Sequence, residues 1–89
     1  MLSYLEVDMK LMAIAKPFKK AHPIKGSNFV TPIVVATFSL PNGVVVELSC
    51  GRFVDHWNYG VTCSSGKDSK MFQDIGEVER YVLEKAGEL

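Results

Sequence analysis

Apolar and polar positions alternate most clearly in the middle of the chain. The stretch SLPNGVVVELSC, residues 39–50, reads as two extended runs joined by a tight turn. A two-residue loop at Asn42-Gly43 would set Phe38 against Glu47, an aromatic core residue against a carboxylate. A three-residue loop, Pro41-Asn42-Gly43, pairs Leu40 with Val44, Phe38 with Val46, Ala36 with Leu48 and Val34 with Cys50. One face of the hairpin is then wholly apolar, and a slip by one residue would destroy it. The turn chemistry agrees. Pro41 suits the first central position of a type I turn, and Gly43 supplies the left-handed residue of the bulge that follows. The three-residue register is the predicted one.

The other face of this hairpin carries Ile33, Val35, Thr37, Ser39, Val45, Glu47 and Ser49. It is polar in the middle and apolar at Ile33, Val35 and Val45, so a second element or a partner is expected to cover that patch. A third strand is read in WNYGVTCSS, where Trp57, Tyr59, Val61 and Cys63 alternate with Asn58, Gly60 and Thr62. A turn at residues 53–56 makes it antiparallel to the second strand, with Cys50 opposite Tyr59, Leu48 opposite Val61 and Val46 opposite Cys63. The two cysteines then share the core face without touching.

After a loop read at SSGKDSK, residues 64–70, the pattern changes to a helical period. Ile75, Val78, Val82 and Ala86 form one stripe with Tyr81 and Leu83 beside it. Asp74 can cap this helix, Glu77 stands near capping-box spacing, and Gly87 can end it. The N-terminal stretch carries two signals. LEVDMKL alternates as a strand would, whereas Ser3 and Glu6 have capping-box spacing and MKLMAIAK is rich in helix formers. The helix is the chosen reading. Residues 17–28, PFKKAHPIKGSN, are read as a long loop. The expected fold is thus one α+β domain spanning residues 1–89. A three-stranded antiparallel β-meander is flanked by an N-terminal helix and a C-terminal amphipathic helix, and at least one helix covers the even-numbered face of the hairpin.

Composition narrows this picture. A chain of 89 residues with 47% hydrophobic content fits one domain and one core. Ten basic and ten acidic residues cancel, which argues against a general polyanion binder. The charges are unevenly placed: Lys10, Lys16, Lys19, Lys20 and Lys25 fall between Met9 and Val46 with no acid among them. Glu6 and Asp8 interrupt the N-terminus before any signal-peptide core forms, and no apolar run is long enough for a bilayer. A cytoplasmic protein with no membrane contact is expected.

Candidate chemistry changes little. His22, His56, Cys50 and Cys63 lack the close ligand pair of a zinc site, so no metal and no cofactor is expected. A thiolate nucleophile needs an electropositive, partly exposed setting, and both cysteines fall on the core face. No catalytic motif stands out, and no enzyme is expected. The leading reading is a small non-enzymatic protein-binding module, a regulator or inhibitor of a larger protein or a homodimer. Its candidate surface is Ile33, Val35, Val45, Phe53 and Trp57. The alternative is a nucleic-acid-associated domain in which Lys16, Lys19, Lys20 and Lys25 track phosphates while Phe18 stacks on a base.

Overall fold

The computed structural model describes residues 2–22, 33–64 and 68–87. Its elements in chain order are α1 (Tyr4–Ala15), β1 (Lys19–Lys20), β2 (Ile33–Ser39), β3 (Val45–Arg52), β4 (Trp57–Cys63), β5 (Asp68–Phe72) and α2 (Ile75–Lys85). The strands form one antiparallel sheet in the order β1-β2-β3-β4-β5. The three expected strands are its centre, and two short edge strands widen it. Part of the stretch read as a loop at residues 64–70 is β5, and part of the loop read at residues 17–28 is β1.

The central hairpin forms as its turn chemistry dictates. Gly43 N–H donates to the Leu40 carbonyl at 2.9 Å, Leu40 N–H donates to the Val44 carbonyl at 2.8 Å, and Gly43 has φ +90°. Phe38 pairs with Val46 and Ala36 with Leu48, as the apolar face requires. Beyond Ala36 the register shifts. Val34 faces Ser49 and Ile33 faces Cys50, because a bulge at Val35 adds a residue to β2. The expected pairing of Val34 with Cys50 is therefore replaced, and Ile33 moves to the parity of the core face. On the far side, Cys50 pairs with Tyr59, Leu48 with Val61 and Val46 with Cys63, as read from the sequence.

Both helices pack on the same face of the sheet. The core joins Val7, Leu11 and Ile14 of α1 and Val78, Tyr81 and Val82 of α2 to Phe38, Val46, Leu48, Cys50, Tyr59 and Val61. The capping box on α1 is complete: the Ser3 hydroxyl accepts from Glu6 N–H, and the Glu6 carboxylate accepts from Ser3 N–H, each at 3.2 Å. That settles the N-terminal stretch as helix. On α2, Asp74 accepts from Gly76 N–H at 3.2 Å, and Gly87 at φ +80° turns the chain out of the helix.

Single polar contacts fasten the helices to the meander. Trp57 Nε1 donates to the Leu2 carbonyl at 2.8 Å, and Asn42 Nδ2 at the hairpin tip donates to the Lys85 carbonyl at 2.8 Å. Tyr81 meets Phe72 of β5 at 5.4 Å between ring centroids, and the ammonium groups of Lys70 and Lys85 lie over its ring at 5.3 and 5.2 Å.

The second face of the sheet carries no helix among the described residues. Thr37, Glu47, Thr62 and Ser69 run across it in one row from β2 to β5. Thr37 Oγ1 donates to Glu47 at 3.1 Å, and the hydroxyls of Thr62 and Ser69 meet at 3.3 Å. Glu47, Ser49 and Thr62 are nevertheless buried.

Candidate functional site

Five residues were expected to form one binding surface, and the fold distributes them. Val45 stands half-buried at the start of β3, where Ser64 brackets it through two hydrogen bonds of 2.8 and 2.9 Å. Phe53 lies beyond the other end of the same strand, roughly 26 Å away at the rise of an extended chain. Ile33, opposite Cys50, shares that end with Phe53. Trp57 is buried beneath Tyr4, with the ring centroids 6.3 Å apart, and Val35 packs against the core from the bulge. The bulge is the physical reason. It packs Val35 against the core and gives Ile33 the register position opposite Cys50, so the patch inferred from strict alternation along β2 is split.

The turn after β3 keeps an exposed apolar tip. Phe53 N–H donates to the His56 carbonyl at 2.8 Å, the Phe53 ring stacks on His56 at 5.6 Å, and Val54 faces water completely. His56 Nδ1 meets Asp55 at 2.6 Å. That hydrogen bond, and then the imidazole charge, hold the Asp55 carboxyl below its usual value. The turn itself contains no cysteine that the pair could serve as a base. Cys50 and Cys63 are buried and form no disulfide, and burial, followed by the Asp8 charge, pushes the Cys50 thiol up. Among the described residues no three His, Cys, Asp or Glu side chains gather to hold a metal ion.

Sequence reading did not find an apolar concavity beside α1. A groove of about 690 Å³ lies between α1 and the β1–β2 edge. Met9, Met12 and Ala13 line it from the helix, Phe18 and Ala21 from around β1, and Val34, Val35 and Phe38 from β2. Lys16 and Lys20 supply the positive charge in its lining. Its volume falls within the range of small-molecule pockets, and its walls are predominantly apolar.

Two local features open this groove. β1 pairs with β2 only at Phe38 and Ser39, with Ala21 N–H adding a bond to the Thr37 carbonyl. From Ile33 to Ala36, β2 therefore has no neighbouring strand on that side among the described residues. The second feature is α1 itself. Leu5, Met9 and Met12, spaced i, i+4 and i+7, are 66%, 62% and 48% exposed on the flank opposite Val7, Leu11 and Ile14. A helix that is apolar on both flanks buries only one of them here. The signal was present in the sequence as LEVDMKLMAIAK, whose apolar positions exceed what one stripe needs.

The lysine loop is placed only in part. Lys16, Lys19 and Lys20 are exposed, and Lys25 lies outside the described residues. Lys19 pairs with Ser39 and Lys20 with Phe38, so the two strand lysines fall on opposite faces. Phe18 stacks on Phe38 at 5.2 Å and 16° and packs against the core.

No family model, no curated protein and no solved structure matches the chain. Among the described residues no helix is long and apolar enough to cross a membrane.

Proposed function

We propose that the chain is a small non-enzymatic protein-binding module that takes a protein segment along the exposed flank of α1 and the groove beside it. The observation that carries this reading is the continuity of Leu5, Met9 and Met12 with the apolar groove. A solvated helix flank is normally polar, and large contiguous apolar surface marks an interaction site. Methionines suit such a surface because their unbranched, polarisable side chains adapt to a partner.

The nucleic-acid reading is the weaker one. Phe18 is already stacked against Phe38, and Lys19 and Lys20 point to opposite sides of the sheet. It would require affinity that falls steeply with salt and fails when Lys19 and Lys20 become Glu.

The test compares affinity capture by the wild-type chain, by Met12→Glu and by Met71→Glu, with and without nuclease. Met71 is an exposed β5 residue away from the groove and serves as the control. A stoichiometric protein retained by wild type and Met71→Glu, lost by Met12→Glu and indifferent to nuclease is the expected result. Retention by all three chains would refute the groove as the docking surface, and loss on nuclease treatment would favour the lysine reading.

A further inference from the structure

We infer that the occupant of this surface is a second copy of the chain, its α1 lying antiparallel to the first, with Glu6 of each protomer beside Lys16 of its partner. This rests on the reading of the α1 flank as a docking surface and names what docks there. The argument begins with charge. Along α1 the acids Glu6 and Asp8 occupy the N-terminal half, and Lys10 and Lys16 follow them, with Lys20 further on at the groove. No acid stands between Met9 and Val46. A parallel neighbour would set like ends together. An antiparallel copy sets acid against base at both ends of the contact, and the two-fold axis makes each favourable pair occur twice.

Spacing agrees with charge. An axis passing midway between Met9 and Met12 lays Met9 of one helix over Met12 of the other. The same operation brings Glu6 within about one residue, roughly 1.5 Å of helix rise, of the partner's Lys16. Leu5 of the partner then comes to the Lys16 end of the helix, next to the groove that Phe18 and Val34 line. The apolar stripe and the two charged ends are thus satisfied by one arrangement. A three-residue stripe alone is smaller than a stable interface, which needs roughly 1,200 Å² in total, and the adjoining groove supplies the extension. The formal net charge of zero leaves no overall repulsion between copies.

Sedimentation equilibrium of the full chain, from micromolar to near-millimolar concentration, tests this. The expected species has twice the 9.9 kDa chain mass, and Met9→Glu reduces it to the chain mass while far-UV circular dichroism is retained. Lys16→Glu alone and Glu6→Lys alone each weaken self-association by about tenfold, since each sets like charges together twice. Mixing those two single variants restores the dimer as a mixed species, because both contacts then join opposite charges. A role of Glu6 confined to capping its own helix would not be rescued from another chain. A species of chain mass at every concentration overturns the inference, as does a dimer indifferent to Met9→Glu or singles that mixing does not rescue. If the chain is monomeric yet wild type and not Met12→Glu captures a foreign protein, the second copy is wrong and the binding-module reading stands. If it is monomeric and captures nothing, both fall.

Discussion

The two helices lie on the same face of the same sheet and differ in what they leave outside. α2 commits Val78, Tyr81 and Val82 to the core and shows Glu77, Glu79, Arg80 and Glu84 to water. α1 commits Val7, Leu11 and Ile14 in the same way but shows Leu5, Met9 and Met12 on its other flank. Both are capped by a side chain at the first turn, so capping does not separate them. The difference teaches that the sheet explains all of α2's sequence and only half of α1's. Residues that folding does not require at those positions are the ones a partner would use.

The sharpest way to test that division is to remove one residue from each flank of α1. Leu11→Ala should lower unfolding stability by about 2–5 kcal/mol, because it opens a cavity in a filled core. Met9→Ala, measured by urea denaturation at a concentration where the chain is monomeric, should change it by less than about 0.5 kcal/mol. Equal costs would mean that the outer flank also belongs to the fold.

The caps come next in size. Ser3→Ala and Asp74→Ala should each cost about 1 kcal/mol, with the loss of helical circular dichroism confined to the helix concerned. A much larger loss for either would break the equivalence drawn above. Asn42→Ala removes the amide that reaches the Lys85 carbonyl and also the Asn42 oxygen that accepts from Val44 N–H at 3.1 Å. It should cost about 0.5–1.5 kcal/mol, and it should loosen α2 and not α1 in amide hydrogen exchange.

The smallest effect is electrostatic and belongs to α1. The backbone N–H of Ser3, and then its hydroxyl, hold the Glu6 carboxyl below its ordinary value near 4.5. A carboxyl with a depressed folded-state value stabilises the fold above its unfolded value, and that stabilisation is lost as pH falls through the folded one. Acidification below about pH 4.5 should therefore erode wild type slightly more than Glu6→Gln, which keeps an acceptor for the Ser3 N–H but has no carboxyl to protonate. Parallel stability curves for the two chains would show that the charge on the capping carboxyl contributes nothing.

The central hairpin and its neighbour were legible because each of their residues had one tolerable side. Phe38 cannot face Glu47, and Gly43 fits a left-handed turn position, so the register followed. The helix starts were legible through Ser3, Glu6 and Asp74. What escaped was structure whose signals cancel. From Ile33 to Ala36 every residue is apolar, so a shift of register at Val35 leaves no mismatch in the pattern to reveal it. β5 carries Asp68, Ser69 and Lys70 in a strand at the sheet edge, where polar residues guard an open ladder and alternation is weak. β1 is only two residues long and earns its place by pairing with Phe38 and Ser39, information no short window contains. The groove escaped for the same reason, since it exists only once β1 and α1 border β2.

The strand order has a consequence for how the chain comes together. Each strand pairs with its neighbour in sequence, so the meander can grow by adjacent hairpins without any long crossover. The helix that precedes it cannot follow that schedule. Its Leu2 carbonyl waits for Trp57, 55 residues further along, and Leu11 has no sheet to cover until the central strands have formed. During synthesis α1 is therefore an early segment that is apolar on both flanks with neither covered. For that interval its two apolar flanks are open to chaperones, and to other copies of itself emerging nearby.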